Sequence, residues 1–376
     1  MKNLYFDFNA STPIAQEVKE SLTRNLDVLI GNPSSQHWAG SPFKAQLENS
    51  RQQVADLINC SPEEIYFTSG GSESNNHAIK GIFFANMQKG KHIVTSAIEH
   101  PAIKNPCDYL KKFGADITYL PVDSYGLINP RDVQNALRKD TILVSIMHSN
   151  NEVGTLQSIE EIAEITKVAK INLHTDAAQS VGKVKIDVKK LGVDLLSIAG
   201  HKLYAPKGIG ALFIRKNVII DPLIQGAGHE MGQRAGTENI LLSIAMGEAA
   251  KLAINTVSNN MTEVSQLRDK MWELLKVEFG DKIVRNGHIH RCLPNTLNIS
   301  FVDRSGNQIL SKLPNLAAST GSACHSGHDT ISPVLKAMNI DSRIALGAIR
   351  FSLGTTTTLD EVHEVIYSLK KLNFYS

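Results

Sequence analysis

From about residue 40 to residue 215, short apolar runs alternate with amphipathic stretches. The runs Glu64–Thr68, His92–Ser96, Asp116–Pro121, Thr141–Met147, Asn172–Thr175, Asp194–Ile198 and Gly210–Ile214 predict short buried strands. Between them Ser72–Asn86, Ala102–Phe113, Pro130–Leu137 and Ser158–Lys170 carry apolar residues at helical spacing, several opening on Ser or Pro. That alternation predicts an α/β sheet with helices on its faces, and ligands at its strand ends. Asn239 to Val277 lacks strand signals and predicts long helices bridging two domains. From Pro294 short strands (Thr296–Phe301, Ala345–Ser352) mix with helices, as in a small α+β domain. Thr358–Lys371, apolar at Leu359, Val362, Val365, Ile366 and Leu369, predicts a closing amphipathic helix.

Composition narrows the class without naming a chemistry. The 376 residues are 42% hydrophobic and 20% charged, which is ordinary for a soluble globular chain. A net charge of +2 argues against nucleic acid or an anionic membrane as the main partner. The N-terminal Met1-Lys-Asn-Leu-Tyr-Phe-Asp7 lacks a signal-peptide core, and no apolar stretch approaches the ~20 residues of a membrane-spanning helix. Cys60, Cys107, Cys292 and Cys324 are far apart and show no metal-ligand spacing. No bound metal and a cytoplasmic location are the resulting expectations.

Candidate chemistry begins at Ser197-Ile-Ala-Gly-His-Lys202, where one lysine follows an apolar run. A strand end can desolvate an ammonium, lower its pKa and free the amine to attack an aldehyde. The alternative is a surface lysine on a hairpin. Just upstream, Asn172-Leu-His-Thr-Asp176-Ala-Ala-Gln179 ends another strand on an acid. An Asp and a Lys leaving neighbouring strands suit pyridoxal 5'-phosphate (PLP), whose ring nitrogen needs a carboxylate and whose aldehyde needs an amine. Asp176 alone would equally serve as a helix cap.

Further polar segments end other strands. Thr68-Ser-Gly-Gly71-Ser72-Glu-Ser-Asn75 opens a helix behind two glycines, as either a phosphate cradle or a plain capped turn. His100, before Pro101, is either a ring-stacking imidazole or a turn residue. Met147-His-Ser-Asn-Asn151-Glu-Val-Gly154 is too polar for core packing. Ala318-Ser-Thr-Gly-Ser-Ala-Cys324-His-Ser-Gly-His328 describes a loop bearing a thiol, with His325 and His328 placed to help form its thiolate. Arg350 lies inside an apolar strand, where a guanidinium needs an anion: a substrate carboxylate or a structural ion pair.

These segments resemble, in order and over nearly the whole chain, the cysteine desulfurases, PLP enzymes of the class V aminotransferase fold. The resemblance begins at Tyr5-Phe-Asp-Phe-Asn-Ala-Ser-Thr-Pro13 and Gly31-Asn-Pro-Ser-Ser35 and runs to Arg350-Phe-Ser-Leu-Gly354. It implies a fold-type I homodimer. Each subunit would have a large PLP-binding domain (residues 15–255) with a mainly parallel seven-stranded sheet. A small domain (residues 1–14 and 256–376) would carry the cysteine loop. It further implies that Lys202 bonds the cofactor aldehyde, Asp176 holds the ring nitrogen, Gln179 bonds the ring hydroxyl and His100 stacks on the ring. Gly71, Ser72, His201 and Thr237 would cradle the phosphate, Thr237 from the other subunit. Asn151 and Arg350 would hold the substrate carboxylate, and Cys324 would take sulfur from L-cysteine for a protein acceptor, as in iron–sulfur cluster assembly. Ala199 departs from the family, many of whose members have a phosphate-binding serine there. Cys324-His-Ser326 followed by Ser332-Pro-Val-Leu335 is also similar to the selenocysteine lyases, so L-selenocysteine is the alternative substrate. A PLP-binding scaffold without turnover is the alternative from a different class.

Overall fold

The computed structural model of the chain describes residues 2–27, 31–321 and 330–375. The seven predicted strands all form and lie in one sheet. They are β2 (Ile65–Thr68), β3 (His92–Ser96), β4 (Asp116–Leu120), β5 (Thr141–Ser145), β6 (Asn172–Asp176), β7 (Leu195–Ala199) and β8 (Gly210–Ile214), after a two-residue β1 (Leu4–Tyr5) outside that sheet. The order is β2-β8-β7-β6-β5-β3-β4, parallel throughout except that β8 runs against both its neighbours.

Successive residues of these strands feed two different cores, which is why the runs read as continuously apolar. Ile93, Leu143, Leu195 and Leu212 pack with Ile79, Ile82 and Phe83 of the helix Gly71–Asn86 and with Ile103 of Pro101–Leu110. Val94, Val144, Leu196 and Phe213 pack on the other face with Leu47 and Val54 of Ser41–Ile58 and Ile162 of Ile159–Ala169. Polar side chains inside the sheet are paired across strands. His174 shares one ring nitrogen with Ser145 Oγ (2.8 Å) and the other with Ser197 Oγ (3.0 Å).

The stretch from Asn239 forms one 40-residue helix, Ile240–Phe279, rather than several. Asn239 caps it by accepting from the Leu242 N–H at 3.1 Å. Its first half packs Ala245, Met246, Ala249 and Ala250 under the large sheet. Its second half packs Val264, Met271 and Leu275 into a separate core. By length and composition this helix could cross a membrane, contrary to the expectation from the sequence, where its small Ala, Gly and Ser residues disguise the run. Its most apolar window is 56% buried against the rest of the fold.

That second core is built on β9 (Ile283–Asn286), β10 (Thr296–Phe301) and β12 (Ala348–Ser352), antiparallel in the order β12-β10-β9. Beside it β1 pairs in parallel with β11 (Leu316–Ala317). The helix Leu359–Lys371 closes it with Val362, Val365 and Leu369, capped by Thr358 and Glu361 in a reciprocal capping box. The strand expected from Ala345 begins at Ala348, because Asp341 caps a helical turn over Ser342–Ala345. After β1 the chain runs between the two sheets, with Asn9 N–H donating to Ser352 Oγ and Thr12 N–H to the His201 carbonyl.

Candidate active site

The parallel strands end on one edge of the large sheet, and the segments leaving them line a cleft of about 570 Å³. Gly71 and Ser72 follow β2, His100 follows β3 and Asn151 follows β5. Asp176 and Gln179 come from the end of β6, and His201 and Lys202 follow β7. Arg350 reaches the same cleft from β12 of the second sheet.

Lys202 does lie between two antiparallel strands, in a tight turn over Gly200–Lys202, and its amine is held by backbone carbonyls of the cleft wall. Nζ donates to the carbonyls of Asn9 and Ala10, the latter at 2.6 Å. Burial pushes its pKa down to about 8, aided by the Arg350 cation and opposed by Asp7 and Asp176. Such an amine is partly neutral near pH 7, where an ordinary lysine is almost wholly protonated.

Asp176 is buried at 7% exposure. One carboxylate oxygen accepts from Asn75 Nδ2 at 2.7 Å and the other from the Ala178 N–H at 2.9 Å. Among the described residues it makes no ion pair. A buried carboxylate with no cation is costly unless a protonated group completes it, and Asp176 lines the cleft where one would sit. His100 faces the same space. Its Nδ1 accepts from the Ala102 N–H at 3.1 Å, so it caps a helix as well as lining the cleft. Its pKa lies below that of a free imidazole, chiefly through shielding from water, with Asp176 raising it and Lys202 lowering it. His201 is pushed down to about 4 by burial and by Lys202, Lys207 and Lys183.

The helix Gly71–Asn86 opens at Gly70, whose φ of 149° suits glycine and which offers no side chain to cap the helix. The helix start at Gly71, Ser72 and Glu73 lines the cleft, with its positive dipole end available to an anion. Ala199 sets a methyl group against this turn: a Cβ on Gly71 would lie 3.2 Å from it. Arg234 pairs with Glu73 at 2.9 Å and ties the loop that leads to Thr237. Thr237 itself is exposed and does not line the cleft of its own chain.

Arg350 finds an anion within the chain. One terminal nitrogen pairs with Asp7 Oδ1 at 2.6 Å, and the other donates to the Asn151 carbonyl at 2.8 Å. Among the described residues its Nε is buried without a partner. Cys324, His325 and His328 lie outside the described residues. The chain on either side of them is held at the cleft. Ser319 exchanges backbone hydrogen bonds with Arg350, and Ser332 Oγ donates to Glu152 at 2.5 Å. Gly321 packs so closely on the same Glu152 that a Cβ would lie 2.2 Å from its oxygen.

Sequence reasoning missed the residues that hold the site together. Asn75 orients Asp176, Asp7 pairs Arg350, and Asn9 joins the two sheets beneath Lys202. Only the opening Tyr5–Pro13 motif carried a signal for Asp7 and Asn9, through resemblance.

Residues 4–365 match the aminotransferase class-V family. The chain belongs to that family, whose members are PLP-dependent. It is 45% identical over 99% of its length to a protein from Dictyoglomus turgidum named cysteine desulfurase IscS, covering 94% of that protein. It is 46% identical over 97% of its length to the protein of the same name from Methanosarcina thermophila, covering 90% of it. A solved structure described as a NifS-like protein superposes with a TM-score of 0.93 at 34% identity, each chain covered in full. SspA in complex with cysteine superposes with a TM-score of 0.82 at 37% identity, over 93% of this chain and 98% of that one.

Proposed function

We infer that this chain is a PLP-dependent cysteine desulfurase that converts L-cysteine to L-alanine and takes the sulfur as a persulfide on Cys324. The observation that carries the reading is the joining, in one cleft, of a water-shielded amine at Lys202 and a carboxylate at Asp176 that has no cation among the described residues. The uncapped helix start at Gly71 and Ser72 and the unpartnered Nε of Arg350 fit the cofactor's phosphate and the substrate's carboxylate. When bound, PLP supplies an aldehyde that combines with amines and a protonated ring that draws electrons from the substrate carbon.

The protein's residues then divide the work. Lys202 would bond the aldehyde, and its amine would carry protons to and from the substrate carbon. Asp176, fixed by Asn75, would keep the ring nitrogen protonated. His100 would stack on the ring, and Gln179 would donate to the ring hydroxyl. Ser72, His201 and, from the second copy of a homodimer, Thr237 hold the phosphate. Asn151 and Arg350 hold the substrate carboxylate. The Cys324 thiolate would attack the substrate sulfur, the new S–S bond forming as the Cβ–S bond breaks and its electron pair passes to the carbon that is protonated to alanine; the persulfide is then offered to a protein acceptor, in keeping with iron–sulfur cluster assembly. A reactive thiol of this kind needs a reducing compartment, so we place the enzyme in the cytoplasm.

The purified protein should be yellow, and borohydride should fix the chromophore to a Lys202 peptide. Cys324→Ala should still bind PLP and L-cysteine while yielding almost no alanine or sulfide. Release of alanine by Cys324→Ala at the wild-type rate, or a persulfide trapped instead on Cys60, Cys107 or Cys292, would refute the assignment. Parallel kinetics with L-selenocysteine would separate this activity from selenide release.

A further inference from the structure

Lys183 is a buried lysine that the proposed chemistry does not use. It is 9% exposed and makes no ion pair among the described residues. Its Nζ donates to two amide oxygens, Asn9 Oδ1 at 2.9 Å and Gln179 Oε1 at 2.8 Å. Burial, Lys202 and Arg350 all push its pKa well below that of a free lysine. Burying an amine beside two cations is unfavourable, so a purely structural site would be better served by an apolar chain of the same length.

What the amine achieves is orientation. An amide can turn over and exchange its oxygen for its NH2 group unless its neighbours decide the matter. The two amide oxygens facing Lys183 favour its ammonium, which offers only donors and, together with Asn295 Nδ2 on the same Asn9 oxygen at 3.0 Å, holds the oxygens of both amides toward itself. For Gln179 this leaves Nε2 to donate to the Asn9 carbonyl at 2.9 Å, beside the cleft. For Asn9 it leaves Nδ2 to donate to Thr296 Oγ1 at 2.8 Å and to the Asn151 carbonyl at 3.3 Å. The Asn9 carbonyl is also one of the two acceptors of the Lys202 amine.

We propose that Lys183 is a positioning residue: it fixes the Gln179 amide with its NH2 group toward the cofactor cleft and holds Asn9 so that its carbonyl receives Lys202. The proposal rests on the cofactor reading above for its consequence, but its geometry belongs to the protein alone.

The test is a double-mutant cycle with Lys183→Met, which keeps chain length and removes the donors, and Gln179→Leu. PLP affinity of the apoenzyme, the pH midpoint of the visible absorption band and Tm are read on each protein. Lys183→Met should weaken PLP binding about tenfold and shift the midpoint, as expected for losing one or two hydrogen bonds. In the Gln179→Leu background it should add little to the affinity loss. Additive losses, or a fall in Tm with an unmoved midpoint, would overturn the proposal. Lys183→Gln, which keeps an N–H donor, replaces the Met variant in the cycle if that variant does not fold. A wild-type protein without a visible band would sink the cofactor reading alone. The crystal structure of apo Lys183→Met then decides for Lys183: rearranged Asn9 and Gln179 amides support the proposal, and native contacts refute it.

Discussion

Two buried polar regions lie close together in this protein, and they differ in how completely their groups are paired. Inside the large sheet, His174 has both ring nitrogens bonded to serines, and His92 has both bonded to threonines, at 2.7 Å to Thr141 Oγ1 and 2.8 Å to Thr118 Oγ1. In the cleft at the end of that sheet, among the described residues, Asp176 has no cation and Arg350 keeps an unbonded Nε. Closed polar pairs join strands. Open ones lining a cleft can be completed by a bound group, which removes their cost. Lys183 and Asn9 tie residues of the cleft to one another and to the second sheet, through Gln179, Lys202 and Thr296.

Breaking a closed pair should act on stability alone. His174→Leu has similar bulk but leaves the hydroxyls of Ser145 and Ser197 without their partner in the sheet interior. A loss of about 2–4 kcal/mol is expected from two unsatisfied groups. Urea unfolding measures it, while KM for L-cysteine should stay at the wild-type value. A lowered stability accompanied by a large KM change would erase the distinction between the two regions.

Arg350→Lys addresses the open region. Lysine keeps a charge but not the planar fork, so KM for L-cysteine should rise about tenfold or more. The Asp7 ion pair makes a modest drop in Tm an expected companion. A lowered Tm with unchanged KM would assign Arg350 to the closed, structural class.

This distinction is only partly visible in the sequence. The sheet was legible because its strands are apolar on both faces, so Thr141–Ser145 and Gly210–Ile214 could be read as uninterrupted runs. The outlying strands were not: β1 and β11 have two residues each, and β9 ends on Arg285 and Asn286, whose partners come from other segments. Lys202, Asp176 and Gln179 were legible because each follows a strand end or carries a motif. The pairings of their supports were not, even where the supporting residue stood inside a motif. Asn75 meets Asp176 across 101 positions, Lys183 meets Asn9 across 174, and Asp7 meets Arg350 across 343. No local pattern encodes such distant pairs; only the folded chain brings them together.

Glu99 belongs to both classes at once, and it gives the smallest and sharpest test. One carboxyl oxygen accepts from Ser96 Oγ at 2.6 Å and from the Met147 N–H at 2.9 Å, whereas the other is buried without a partner among the described residues. Burial pushes its pKa up to about 8, against those two hydrogen bonds and with help from Asp176. An acid raised in this way is protonated in the folded state and ionised in the unfolded state between about pH 4.5 and 8. Its contribution is therefore present at low pH and lost as pH rises through 8. His148 and His174, pushed by burial to about 4 and about 3, act in the opposite sense, adding stability as pH rises to about 6.5. Above about pH 7.5 their effect is complete, while the carboxyl's is still being lost. Glu99→Gln cannot ionise, so between pH 6.5 and 8 its stability should fall less steeply than that of the wild type. The difference approaches about 1.4 kcal/mol per pH unit for one whole proton. Parallel urea unfolding of both proteins at pH 6.5, 7.25 and 8 reads this difference while every other titrating group cancels. Equal slopes would show that Glu99 is already ionised in the folded protein, its second oxygen satisfied by a partner such as buried water, and would move it wholly into the closed class.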